Sequence, residues 1–302
     1  MGITVAETIK NITSKHINQN GLVLGQCLTA VGWVGGTIPE FPHHPNIVEL
    51  SMADSAGGSI ATGAALTGRR PIYVVRYQGF LWYNLVSIVN YAAKSKELWD
   101  VDCPLFLRAI AMEGGIGPVA GSSHYSLAYK MPGIRIVCPM TPGEYETVWD
   151  EFLEDSIPYF VSEHRGSYKV DYETPPVIHE EADITVFCIS ITRFNALEAI
   201  KILEDEGYRI NFVPIVDLKP LTDIWSYRNY LRNSKCGGLL LDDDYTDGVA
   251  KSISYDIMKG VGKQVYTLGL KDKSAGFHKE EDNLPPSTEE ILQTAKDILC
   301  FP

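Results

Sequence analysis

The sequence predicts an α/β protein built from two open, mostly parallel sheets flanked by helices, and three observations predict it. Short, nearly continuous runs of Val, Ile, Leu and Phe recur along the chain, as they do in parallel strands covered on both faces. Between them lie stretches with helical periodicity and recognisable caps, so strand and helix alternate. At 302 residues the chain is also too long for one ordinary core, and a polar stretch carrying Pro175-Pro176 divides the alternation in two. The expected division is residues 1–165, a linker over 166–181, and residues 182–302.

A helix over 4–19 opens the chain, followed by a strand, Gly21 to Leu28, and a loop, Thr29 to Pro45, rich in Gly and Pro. His43 and His44 in that loop read as a solvated tip rather than as metal ligands. The organising stretch comes next, Ile47 to Arg76. It reads as a buried strand (Ile47 to Met52, interrupted by Glu49) that stops at one acid, Asp54. A helix of small residues (Ser55 to Leu66) and a second buried strand (Pro71 to Arg76) follow. Helical propensity alone would not choose Gly57 and Gly58, since Gly costs ~1 kcal/mol against Ala. They make sense if another helix or a ligand packs close to the backbone. An acid at the carboxyl end of a strand, opening a glycine-rich helix, sits where α/β sheets place their ligands.

Phe80 to Lys96 reads as an aromatic-rich helix, too apolar for an ordinary surface helix, so it is buried all round or faces another subunit. Then come the strand Pro104 to Ala111, a glycine-rich loop (Glu113 to Ser123) leading to His124, and the strand Ile134 to Pro139. The next helix opens with Thr141 as N-cap, Pro142 at the first position and Glu144 closing a capping box. The strand Pro158 to His164 ends the first half. In the second half the strands are Asp183 to Ser190, Ile210 to Leu218, Gly237 to Asp244 and Gln264 to Leu270, and the last helix is capped by Ser287.

Composition excludes several classes. A formal net charge of −12 with no Lys/Arg run argues against a nucleic-acid partner. The longest apolar runs are strand length, far short of the ~20 residues of a membrane span. The start, MGITVAETIKNI, is amphipathic and lacks the charged start and apolar core of a signal peptide, and Ala6 spoils the match to a myristoylation site. Six cysteines without a CxxC pair read as reduced, mostly core residues in a cytoplasmic protein. No GxGxxG, Walker or GxSxG motif is present. What remains is Asp54, Phe80 and His124. Each has a plain structural reading by itself: a helix cap, a core aromatic, a polar residue after glycines.

Their order and surroundings resemble a known family. The acid nine residues before Gly63, the small-residue helix and the phrase GRRPIYVV resemble the pyrimidine-binding domain of transketolase-like thiamine-diphosphate enzymes. PGIRIVCPMTPGE is the more specific mark, and it is similar to the beta subunit of 2-oxoacid dehydrogenase decarboxylase components. IVNYAAKS, PYFVSEH, DITVF, VDLKPL and LPPSTEEI fit as well, so the resemblance covers nearly the whole chain. It implies a pyrimidine-binding domain over 1–165 and a transketolase C-terminal-like domain over 182–302.

The resemblance also implies roles. The family's catalytic glutamate, which bonds a ring nitrogen of the aminopyrimidine and favours its imino tautomer, falls on Asp54. The aromatic that stacks on that ring falls on Phe80, Met52 and Arg76 match positions lining the pyrimidine pocket, and the active-site histidine falls on His124. Three departures stand out. Asp54 is one methylene shorter than glutamate, roughly 1.5 Å of reach. His124 lies eight residues before Pro132, about a helical turn closer than the family pattern. A second-half histidine has no counterpart, and Asp242 to Asp244 stand around its position, changing the charge offered to substrate.

The family holds magnesium and the diphosphate through a GDG motif followed by an asparagine, and this sequence has no GDG. The resemblance therefore implies a separate alpha-type subunit carrying that half of the site, with self-dimerisation in an α2β2 assembly. The aromatic helix is the expected contact, and no metal ligand is expected in this chain. The implied activity is cleavage of a C–C bond next to the carbonyl of a small substrate. Oxidative decarboxylation of a 2-oxoacid with acyl transfer, ketol transfer by a split transketolase, and a non-catalytic assembly role all stay open.

Overall fold

The computed structural model describes residues 2–117, 119 and 121–300, so part of the expected Glu113–Ser123 loop lies outside the described residues. The chain divides into two compact units. The first comprises residues 1–112 and 116–173, and the second residues 113–115 and 174–302.

In the first unit six strands form one all-parallel sheet: β1 (Val23–Gln26), β2 (Ile47–Leu50), β3 (Ile72–Val75), β4 (Phe106–Ala111), β5 (Arg135–Val137) and β6 (Tyr159–His164). Their spatial order is β2-β1-β3-β4-β6-β5. β3, β4 and β6 are buried throughout, as their β-branched runs require. β2 corrects the expectation of a buried strand. It pairs on one side only, its residues are half-buried or exposed, and it stops at Leu50 rather than Met52. An edge strand can carry Glu49 because that side chain turns back to accept from the backbone N–H groups of Leu28 (2.9 Å) and Thr29 (3.0 Å).

The main helices of this unit are α1 (Val5–Asn18), α2 (Asp54–Leu66), α3 (Leu81–Ser87), α4 (Ala93–Trp99) and α5 (Pro142–Glu154). α3 runs into α4 through a π-turn, Ile88–Ala92. This composite is not buried all round: Trp82, Tyr83, Val86 and Tyr91 are exposed, so only its inner side is covered in this chain. α5 opens as expected at Thr141 and Pro142, and the Thr141 hydroxyl accepts the Glu144 N–H at 3.4 Å, but the reciprocal half of the box is displaced by one residue. The Glu144 carboxylate accepts from Met140 N–H at 2.7 Å, while Thr141 donates its hydroxyl to Glu173. Beneath α5 the rings of Phe106, Trp149, Phe152 and Tyr159 meet edge-on or tilted at 5.1–5.5 Å, packing that adds to area burial. The long loop before β2 contains a left-handed turn at Trp33, Val34 and Gly35. That loop is tied down by a buried ion pair: Arg108 of β4 donates to Glu163 of β6 through two nitrogens at 2.7 Å and to the Thr37 hydroxyl at 2.6 Å.

The second unit carries β7 (Ile184–Ile189), β8 (Ile210–Ile215), the short β9 (Asp217–Lys219), β10 (Gly238–Tyr245) and β11 (Val265–Leu270). Four of them form a second all-parallel sheet ordered β11-β10-β7-β8. Its helices are α6 (Thr192–Asp205), α7 (Ile224–Arg232), α8 (Val249–Met258) and α9 (Thr288–Cys300). Val186, Leu203, Phe212, Leu239, Leu241 and Ile291 belong to one buried cluster. Ser287 caps α9 as expected, and its N–H and hydroxyl meet the Glu290 carboxylate at 3.0 and 3.2 Å.

No helix among the described residues is long and apolar enough to cross a membrane. All six cysteines are free thiols. Cys103, Cys138 and Cys188 are buried, whereas Cys27 and Cys236 are half-buried and Cys300 is exposed, so the core reading holds for half of them.

Candidate functional site

Strand order decides where a parallel sheet can hold a ligand. The chain leaves β1 to one side to form β2, then crosses back to form β3 on the other side of β1. The loops leaving β1 and β3 therefore run to opposite sides, and a crevice opens beyond their carboxyl ends. That crevice is present. A cavity of about 170 Å³ is lined by Gln26 and Cys27 from the end of β1, Tyr73 to Val75 from β3 with Arg76 and Tyr77 just past it, Met52 and Asp54 from the turn into α2, and Phe80 and Asn84.

Four of the five residues singled out from the sequence thus meet on one cavity: Met52, Asp54, Arg76 and Phe80. Asp54 is the first residue of α2 and not the tip of a strand, since β2 has already ended. An acid in a first helical turn is favoured by the exposed N–H groups and the positive end of the helix dipole. Its Oδ1 accepts from Gln26 Nε2 at 3.1 Å and from Asn84 Nδ2 at 3.3 Å. Phe80 is half-buried, with its ring 6.0 Å from that of Tyr77 and inclined at 61°. Arg76 places its guanidinium 5.0 Å from the centre of the Tyr77 ring and donates to the Tyr77 hydroxyl at 3.2 Å. Met52 is 76% exposed, so it forms a lip of the cavity and no part of the core; its sulfur lies 3.7 Å from the Cys27 thiol.

His124 is not part of that lining. Its place is fixed by Gln78, a residue that no sequence motif marks. Gln78 is fully buried and donates to the Ala109 carbonyl (3.0 Å) and the Ser162 hydroxyl (2.7 Å). Its own carbonyl oxygen accepts the backbone N–H of His124 at 2.6 Å, and the imidazole Nε2 lies 3.1 Å from the Gly121 carbonyl. Gln78 thus couples the segment that forms the cavity wall to the loop that carries the histidine.

The small-residue helix also finds its reason here. A Cβ on Gly57 would strike the Tyr73 hydroxyl, and one on Gly58 would strike the Asn84 carbonyl. Both glycines let α3 and the Tyr73 side chain pass against α2. Tyr73, 1% exposed, donates its hydroxyl to Asn84 Oδ1. Burial, and then the charge of Asp54, pushes its pKa well above the ordinary tyrosine value, so it remains a protonated donor. Tyr73, Gln26 and Asn84 were invisible in the sequence because no motif marks them.

The dimensions suit a planar ring. A cavity of ~150 Å³ accepts benzene, so about 170 Å³ accommodates one six-membered heterocycle. Among the described residues, no group of three or more His, Cys, Asp or Glu side chains is placed to hold a metal.

The fold is an open parallel α/β domain with a ring-sized pocket at a sheet switch point, and comparison with known proteins says what it is similar to. Residues 31–170 match the family described as transketolase, pyrimidine binding domain. The chain is 25% identical over 241 residues to the beta subunit of acetoin:2,6-dichlorophenolindophenol oxidoreductase from Cupriavidus necator, covering 74% of this chain and 69% of that one. It is 28% identical over 190 residues to the 2-oxoisovalerate dehydrogenase subunit beta of Bacillus subtilis, covering 58% of each. The pyruvate dehydrogenase E1 component subunit beta of Porphyra purpurea is also 28% identical, over 58% of this chain and 57% of its own. The match thus spans a little over half the length of these two dehydrogenase subunits.

Among solved structures, one described as a split gene transketolase, inactive beta4 tetramer, shares the fold over 99% of both chains, with a TM-score of 0.75 at 16% identity. The transketolase of Campylobacter jejuni subsp. jejuni shares it over 98% of this chain and 47% of its own, with a TM-score of 0.76 at 14% identity.

Proposed function

We propose that the chain is the beta-type, pyrimidine-binding subunit of a heteromeric thiamine-diphosphate enzyme that cleaves a C–C bond beside the carbonyl of a 2-oxoacid and passes on the acyl group. The observation that carries the reading is the convergence of Asp54, Phe80, Met52 and Arg76 on one ring-sized cavity at the β1/β3 switch point. Beta subunits of 2-oxoisovalerate and pyruvate dehydrogenases among the similar proteins support the reaction class.

In this reading residues 1–165 are the pyrimidine-binding domain and 182–302 the transketolase C-terminal-like domain. Bound thiamine diphosphate supplies a carbon nucleophile and an electron sink next to the substrate carbonyl. Asp54 holds a proton at a ring nitrogen of the pyrimidine and keeps that ring in register with the helix start. Phe80 stacks on its face, and Met52 and Arg76 close the sides. His124, fixed by Gln78, orients the substrate and shuttles a proton from outside the ring pocket. The diphosphate and magnesium are held by an alpha-type partner, because this sequence offers no GDG motif. The exposed Trp82, Tyr83 and Val86 of α3 with Ile60 of α2 form the contact face of an α2β2 assembly in a reducing cytoplasm.

Ketol transfer by a split transketolase is the second reading, favoured by the correspondence of the whole chain with the split-gene structure. Co-purification with the product of the neighbouring gene, followed by calorimetric titration of thiamine diphosphate with magnesium, tests the proposal. Binding and turnover are expected from the complex and none from this chain alone. Robust thiamine-dependent turnover by the isolated chain overturns the divided site, and a 2-oxoacid against a ketose donor separates the two chemistries.

A further inference from the structure

Asp54 reaches the cavity already engaged on one side. Both amide donors beside it, Gln26 Nε2 and Asn84 Nδ2, address the same oxygen, Oδ1. We propose that Asn84, oriented by Tyr73, is a positioning residue for the proposed thiamine chemistry. With Gln26 it holds one carboxylate oxygen of Asp54 so that the other is presented to the ring nitrogen of a bound aminopyrimidine. The inference rests on the thiamine reading above and adds a residue to it.

The orientation of the Asn84 amide follows from its surroundings. Its nitrogen faces two acceptors, the Phe80 carbonyl at 2.8 Å and Asp54 Oδ1 at 3.3 Å, so the NH₂ group must lie on that side. Its oxygen then faces the Tyr73 hydroxyl, which donates to it. Asn84 is 1% exposed and Tyr73 likewise, so neither group exchanges these partners for water. The arrangement is built into the backbone: Gly57 and Gly58 lack side chains where Tyr73 and Asn84 pass. A fixed Oδ1 also answers the short reach of aspartate. An acid with one methylene fewer cannot search for its partner, so it serves only if its carboxylate is held in the right plane before the ring arrives.

The test uses the complex of the full chain with its partner, loaded with thiamine diphosphate and magnesium. Exchange of the thiazolium C2 proton with deuterium is read by quenched NMR, together with calorimetric affinity and the melting temperature. In Asn84→Leu, similar in volume but without donors, exchange slows about tenfold or more, as loss of a hydrogen bond to a charged group implies, while affinity stays within about threefold because stacking and diphosphate contacts remain. Tyr73→Phe moves exchange the same way by less. Asn84→Asp shifts the pH profile of exchange upward, since two carboxylates that close share a proton. Unchanged exchange and an unchanged pH profile in folded, cofactor-loaded variants overturn the role of Asn84 and leave the thiamine reading standing. A wild-type complex that takes up no thiamine diphosphate overturns both. Should Asn84→Leu fail to fold, Tyr73→Phe, which deletes one oxygen, decides the matter by the same exchange measurement.

Discussion

Both units place acids toward the carboxyl side of a parallel sheet, one opening a helix and the others within a strand, and they use them in opposite ways. In the first, Asp54 sits half-buried at a cavity, with both of its amide contacts on one oxygen. In the second, β10 itself carries Asp242, Asp243 and Asp244, which are 0%, 0% and 2% exposed. There Ser190 donates to Asp243 Oδ2 at 2.7 Å, and the side chains of Asp242 and Asp244 accept backbone N–H groups at 3.1 and 2.7 Å. The expectation that these three acids take the place of a histidine and alter the charge offered to substrate is therefore corrected: they are internal and bonded within the fold. An acid at the carboxyl edge of a parallel sheet becomes a candidate for chemistry only where strand order opens a crevice beside it. Elsewhere the same residue satisfies backbone donors.

The largest expected effect separates the two acids directly. Asp54→Ala should lower thiamine-dependent turnover of the assembled complex by ~10²- to 10⁴-fold, the range for loss of a proton-transferring group, with little change in melting temperature. Asp243→Asn should do the reverse, keeping kcat within about twofold while lowering stability by ~1–3 kcal/mol through a spoiled buried hydrogen bond. If the Asp54 variant kept full activity, or the Asp243 variant lost it, the contrast between the units would collapse. A second variant sharpens the same contrast through the backbone. Gly58→Ala forces a methyl into the Asn84 carbonyl, so α3 must shift away from α2; overpacking of this kind costs ~1–3 kcal/mol. Because the shift carries Asn84 and Phe80 with it, cofactor affinity measured by calorimetry should fall together with stability.

The architecture was legible because parallel strands write themselves as β-branched runs, and β3, β4 and β6 followed that rule. β2 escaped it. Its apolar residues signalled burial, whereas strand order put it at the edge, and strand order is not encoded in any one segment. The sequence also implied Met52, Asp54, Arg76 and Phe80 through family pattern, and geometry gathers these on one cavity. What it could not show are the residues that act through others. Gln26, Tyr73, Gln78 and Asn84 are scattered polar positions on separate elements, and only the register of β1, β3 and β4 brings them to Asp54 and His124. Gly57 and Gly58 were the one local signal that such an approach existed.

The smallest expected effect concerns the first unit alone and is set by pH. His16 on α1 is buried, its ring 5.2 Å from that of Trp149 and edge-on to it. Burial, with a smaller contribution from the nearby Arg69 charge, pushes its pKa below the usual 6.5. The folded chain therefore keeps this imidazole neutral where the unfolded chain has begun to bind a proton. For a base whose folded pKa is lowered, stability is fully present above the unfolded value and declines as pH falls through it toward the folded one. Below about pH 6.5 this one group should lower unfolding free energy by at most ~1.4 kcal/mol per pH unit, the limit for a single proton. Urea unfolding of wild type and His16→Leu at a series of pH values from ~8 to ~5 isolates the contribution, because every other carboxylate and histidine is common to both proteins. The difference in stability should stay constant at the upper end and move in favour of His16→Leu as acidity rises. A difference that does not vary with pH would mean that the buried imidazole takes its proton as readily in the fold as in the unfolded chain.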